Sequence, residues 1–174
     1  MTTQAKQQGM SRRQLLSRSI AAGTAFIIGP GFIAGSDAAW AMETTALKPS
    51  SMATLIQMAR DIYPHDHVAD EFYAIAVKGY DTADAAPDIE AGIAALDAAA
   101  RGKGHTSYLD TGWERDRVDI LRNMEDSAFF QRIRGGLVTG LYNQKEVWPL
   151  FGYEGESYSQ GGYIDHGFND INWL

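Results

Sequence analysis

Across residues 51–63 the apolar side chains Met52, Leu55, Ile56, Ala59, Ile62 and Tyr63 fall at i, i+3, i+4, i+7, i+10 and i+11, which is one face of an α-helix. Pro64 then forbids its continuation. The period recurs in Phe72, Tyr73, Ala76, Val77 and Tyr80, with Gly79 and the stretch 81–86 closing the segment. Pro87 and Asp88 suit the first turn of a third helix, where a missing N–H costs nothing and a carboxylate meets the positive helix end. Ile89, Ile93, Leu96 and Ala100 supply its stripe, and "RGKGH" at 101–105 reads as a loop. Val118, Leu121 and Met124, with Ile120 alongside, mark a fourth helix. Ser127 suits the N-cap of a fifth, lined by Phe130, Ile133, Leu137 and Leu141. No run of four or more residues alternates as a strand would. The pattern predicts an all-α fold, a small bundle of about five helices.

Beyond the fifth helix the character changes. Residues 142–174 hold eight aromatics in 33 positions, against eight in the 100 positions of 42–141, while the helical period disappears. Gly152, Gly155, Gly161, Gly162 and Gly167 punctuate the stretch, so most of it is expected to be irregular or extended. Such a segment must lay its rings on something, either its own bundle or another protein, because aromatics are enriched in small cores and at interface centres alike. Trp148, Phe151 and Tyr153, nearest the last helix, read as core. Phe168 and Trp173, at the far end, read as surface for a partner.

The first 41 residues are a different object electrostatically. Four basic residues against one acidic give them +3, whereas the remainder carries 11 basic and 21 acidic residues, or −10. Residues 1–41 follow the order of an export signal: a polar start, "SRRQLL" at 11–16, an apolar stretch from Ser19 to Gly35, and the small-residue cleavage site Ala39-Trp40-Ala41. Arg12 and Arg13, followed by Leu15 and Leu16 and a mildly hydrophobic run broken by glycine and Pro30, look like a twin-arginine signal, which exports proteins already folded. The same glycines make the run a poor permanent membrane span. Cleavage after Ala41 leaves residues 42–174 as one domain. Its acidic balance offers no run of Lys or Arg to displace counterions from nucleic acid or anionic lipid. With no cysteine, the chain has no disulfide, no thiolate-held cluster and no c-type haem attachment.

The candidates for chemistry are weak. His65-Asp66-His67 has a spacing found in zinc and non-haem iron sites, and with a third ligand it would suit a stand-alone periplasmic metal-binding protein or enzyme. The structural reading is a loop histidine facing the unpaired carbonyls of a helix end. "GYEGESYSQGG" follows no strand and opens no helix, so it lacks a phosphate-binding geometry. "WERDRVDILR" at 113–122 alternates charge and reads as an exposed, salt-bridged face. These residues point to no catalytic, cofactor-binding or metal site.

The leader together with "YPHD" at 63–66, "SAFFQRIRGGLVTGLYN" at 127–143, "VWPLFGYEG" at 147–155 and "GGYIDHGFNDINWL" at 161–174 resembles the small subunit of membrane-bound FAD-dependent sugar and polyol dehydrogenases, the gluconate 2-dehydrogenase subunit 3 family. The resemblance covers essentially the whole chain and is least specific over about 81–110. It implies a non-catalytic accessory subunit with no cofactor of its own. FAD would lie in a separate large catalytic subunit, and a multihaem cytochrome c subunit often accompanies the pair. The small subunit would act as escort and stabilising chaperone, carrying the folded flavoprotein through the twin-arginine (Tat) machinery to a periplasm-facing, membrane-associated complex. The C-terminal segment 142–174 would wrap the large subunit, with Trp148, Phe151, Tyr153, Tyr158, Tyr163, Phe168 and Trp173 as contact rings. An independent helical binding module with no obligate partner is the remaining alternative.

Overall fold

The computed structural model describes residues 43–164, 166 and 168. Arg12, Arg13, Leu15, Leu16, Ala39, Ala41 and Trp173 lie outside the described residues. The described residues form five α-helices, α1 (Pro49–Ile62), α2 (Asp70–Lys78), α3 (Ala86–Gly102), α4 (Glu114–Arg122) and α5 (Ala128–Tyr142), followed by two short 3-10 turns, Trp148–Phe151 and Ser157–Gln160. No strand occurs among them. Ser127 caps α5 as expected, its hydroxyl accepting from the Phe130 N–H at 3.2 Å. No helix among the described residues is long and apolar enough to cross a membrane.

The first helix departs from the expected single stripe. It contacts each of the other four helices, and Ser51, Ala53 and Thr54 are buried along with Met52, Leu55, Ile56, Met58 and Ala59. The small and hydroxylated side chains let neighbours approach the flanks that periodicity marks as polar. Thr54 satisfies its hydroxyl on the Ser50 carbonyl at 3.0 Å. The apolar residues of α2, α3 and α5 close around this central rod, with Tyr73, Ile89, Leu96, Ile133, Leu137 and Leu141 fully enclosed.

The most intimate helix contact is between α2 and α5, and glycine makes it. A Cβ on Gly140 would stand 2.8 Å from the Ala76 carbonyl oxygen, a backbone atom that cannot swing aside. One turn earlier the Tyr80 ring lies across Gly136 and donates its hydroxyl to the Arg132 carbonyl at 3.0 Å. On another side of α5, Phe129 occupies the space over Gly92 of α3.

The charged stretch 113–122 corrects the expectation of an exposed face. Arg117 turns inward to Asp61 at the end of α1, with Nε 2.7 Å from Oδ2 and Nη2 3.0 Å from Oδ1. Only 3% of the Asp61 side chain and 15% of the Arg117 side chain remain accessible, so the pair is interior rather than surface. Asp61 also accepts from the Tyr108 hydroxyl at 2.6 Å and from Gln57 at 3.1 Å, while Arg117 donates to the Thr111 carbonyl at 2.9 Å. A planar guanidinium matched to a carboxylate with every other lone pair engaged is the arrangement in which an interior ion pair holds. Glu114, Arg115 and Arg122 keep the surface role.

Replacing Gly140 by Ala should destabilise the bundle by about 1–3 kcal/mol, the cost of overpacking a rigid contact. Urea unfolding with an unchanged slope checks this. Asp61→Ala should cost more, about 3–5 kcal/mol, because it strands a buried guanidinium.

Candidate functional site: the C-terminal segment and its seat

The seat is the turn between α1 and α2. Tyr73 pins it from below, donating its hydroxyl to the Tyr63 carbonyl at 2.6 Å and accepting the His65 N–H at 3.2 Å. Burial pushes the Tyr73 phenol up, so it stays protonated and able to donate. Arg60 braces the far side through Asp70 and the Val68 carbonyl, its guanidinium 5.6 Å from the Tyr73 ring.

His65 does not cap α1. Its Nε2 lies 2.6 Å from the hydroxyl of Tyr142, the last residue of α5. Burial, with His67 beside it, lowers the His65 pKa, which favours the neutral ring next to the Tyr142 hydroxyl. Burial likewise raises the Tyr142 phenol. Phe151, in the first 3-10 turn, closes the group edge-to-face, with its centroid 4.9 Å from both imidazoles and 5.6 Å from Tyr142. The two imidazoles and Phe151 thus form a triangle of rings, the His65 and His67 centroids standing 5.8 Å apart. Among the described residues no group of three or more His, Cys, Asp or Glu side chains converges as a metal-holding set.

From this seat the segment folds on itself instead of running extended. Trp148 donates its indole N–H to the Tyr142 carbonyl at 2.8 Å, stacks edge-on with Tyr153 at 5.3 Å, and carries the Lys145 ammonium 5.6 Å from its ring. Lys145 also pairs with Glu156 at 3.1 Å, and that hydrogen bond lowers the Glu156 pKa. Gly155 passes the Trp148 ring at φ +104°, a backbone conformation that needs glycine. Ser157 is buried, its carbonyl accepting from the Gly162 N–H at 2.7 Å, and Gln160 reaches back to the Glu154 carbonyl at 3.0 Å. The local order arises from 3-10 turns and side-chain ties, which leave no helical period to read.

The rings divide into two sets. Tyr142 and Phe151 pack against the bundle core and Trp148 is half-buried, whereas Tyr153, expected in the core, is exposed, because its only ring contact among the described residues is edge-on to Trp148. Tyr158, Tyr163 and Phe168 point outward at 94%, 78% and 75% exposure, joined by Ile164 at 85%. Ile164 escapes a reading based on aromatic density because it is aliphatic. Trp113, at the N-cap of α4, is also exposed, at 77%.

A neutral buried histidine favours the fold above its ordinary pKa, and that contribution is lost as pH falls below about 6.5 toward the lowered folded value. The melting temperature should therefore fall on acidification from pH 7.5 to 5.5. His65→Gln should flatten part of that slope in a thermal scan.

Compared with known proteins, the chain matches no family profile, no curated protein and no solved structure.

Proposed function

We propose that this chain is the non-catalytic small subunit of a periplasm-facing FAD-dependent sugar or polyol dehydrogenase complex, serving as export escort and stabilising partner of the flavin-bearing subunit. The observation that carries the reading is the outward set Tyr158, Tyr163, Ile164 and Phe168, on a segment whose Tyr142 and Phe151 pack against the bundle. A helical domain of this size gains nothing by exposing four large apolar side chains in eleven residues unless another surface covers them. Aromatic anchors on an ordered backbone are the usual centres of protein interfaces, since a ring buries much area for little lost freedom.

Resemblance supplies the partner's class, and physical logic links it to the leader. Loading FAD requires a folded pocket, so the holo-subunit cannot be threaded unfolded across a membrane. Bound to a companion with a twin-arginine signal, it crosses as cargo. The same contact stabilises the partner by RT ln(1 + [L]/Kd), about 4 kcal/mol at a thousandfold excess over Kd. Substrate choice would then reside in the other chain, with electrons passing onward through a cytochrome c subunit where one is present.

Co-expression with the adjacent flavoprotein reading frame should yield a yellow complex that copurifies with this chain. Combined Tyr158→Ala, Tyr163→Ala and Phe168→Ala should weaken it by at least about 2 kcal/mol, roughly thirtyfold in Kd. Arg12→Lys with Arg13→Lys should strand both subunits in the cytoplasm. An unchanged complex in the triple variant, or sugar oxidation by the isolated chain, would overturn the reading.

A further inference from the structure

Four consecutive backbone N–H groups just beyond the leader are taken by two carboxylates of the folded body. Asp81, three residues past the end of α2, accepts Ala46 and Leu47 on Oδ1 and Thr45 on Oδ2, each at 2.8 Å. The Thr45 hydroxyl adds contacts to Oδ2 at 3.2 Å and to the Asp81 carbonyl at 3.1 Å. Glu90, on α3, accepts the Lys48 N–H at 3.0 Å, the Lys48 ammonium at 3.1 Å and the Ser51 hydroxyl at 2.9 Å. Lys78 completes the arrangement, donating to Asp81 at 3.0 Å and to the Glu43 carbonyl. Leu47 is buried between the two anchors, so the segment is fastened through backbone and side chain together.

Asp81, just after α2, and Glu90, on α3, lie 34 to 42 residues along the chain from the backbone groups they hold, and they meet residues 45–48 only once the helices have assembled. Burial raises the Asp81 carboxyl, but the Leu47, Ala46 and Thr45 N–H donors and Lys78 outweigh it and hold the group well below the usual carboxylate range. The anchor therefore remains ionised at any pH above that depressed value.

The geometry points to this double clamp as a proteolytic stop that places the limit of N-terminal processing at Thr45. A peptidase binds its substrate as an extended strand and uses the main-chain N–H and C=O groups around the scissile bond. Water then adds across the peptide C–N bond, leaving a carboxyl on the released side and an amine on the retained side. Residues 45–48 have their N–H groups already spent on carboxylates, so they cannot enter such a site without dismantling the junction of three helices. The limit falls beyond Met42, Glu43 and Thr44, so removal of the leader after Ala41 leaves every clamp contact whole. The proposal rests on the leader reading only for which cellular peptidase acts; the limit holds for any endopeptidase.

Native full-length chain digested with proteinase K, then sequenced from its new N-terminus, should yield a folded helical product beginning at or before Thr45. Asp81→Ala should move that start past Thr45, and Asp81→Ala combined with Glu90→Ala should move it past Lys48. Should Asp81→Ala fail to fold, amide hydrogen exchange in the Glu90→Ala protein serves instead: protection at Lys48 should drop roughly tenfold or more, given a lost charge-assisted bond. Trimming of the folded wild type into 45–48, an unchanged start in a folded Asp81→Ala protein, or unchanged Lys48 protection in Glu90→Ala would overturn the proposal. A wild-type stop at Thr45 in a chain that is never exported would uphold the clamp and remove the leader reading instead.

Discussion

Asp61 is the point on which the bundle turns. It ends the central helix, and through Arg117, Tyr108 and Gln57 it ties that helix to α4 and to the loop between α3 and α4. Tyr108 is fully enclosed and its own N–H is held by Asp97 of α3 at 2.9 Å, so the network also reaches the third helix. A carboxylate desolvated this far is tolerated because each of its oxygens meets a donor and one donor is a fixed cation. The reward is registration: α4 is short and mostly polar, and without Arg117 it would have only Ile120 and Leu121 to position it.

Around that anchor, the two ends of the domain are secured by opposite means. The beginning is held by charge, carboxylates gripping a string of backbone donors at residues 45–48. The segment after α5 is held by ring contacts, Phe151 edge-on to two imidazoles, and by the Trp148 indole N–H on the Tyr142 carbonyl. Each device suits its task. Backbone N–H groups entering the body need acceptors, while a segment rich in glycine needs large side chains to give it any burial at all.

Much of the architecture was legible from periodicity. All five helices lie where the apolar spacing put them, since a 3.6-residue repeat survives in α1, α2, α3 and α5 and Pro64, Pro87 and Ser127 punctuate them. Three things were not legible. Small residues such as Ser51, Ala53 and Thr54 look neutral on a hydropathy scale, so the all-round burial of α1 leaves no trace. Arg117 meets a partner 56 residues away, and a charge in a charged helix does not announce which one turns inward. Likewise His65 finds its hydroxyl 77 residues later, at the end of α5. In the candidate docking segment, composition suggested that the rings nearest α5 face the bundle, which Phe151 does and Tyr153 does not, and it gave no sign of the backbone turns over 152–162.

Those turns carry a further consequence. Between Gly152 and Gly162 the chain turns at glycines whose φ angles are positive, and the turns at Gly152 and at Gly161–Gly162 are closed by backbone hydrogen bonds. A stretch so constructed behaves as a ruler: its composition could drift at the solvent-facing positions, but a residue inserted or deleted between Gly152 and Ser157 would shift Gly155 off the Trp148 ring and Ser157 out of its buried place. Length is therefore the property this part of the molecule is least free to change.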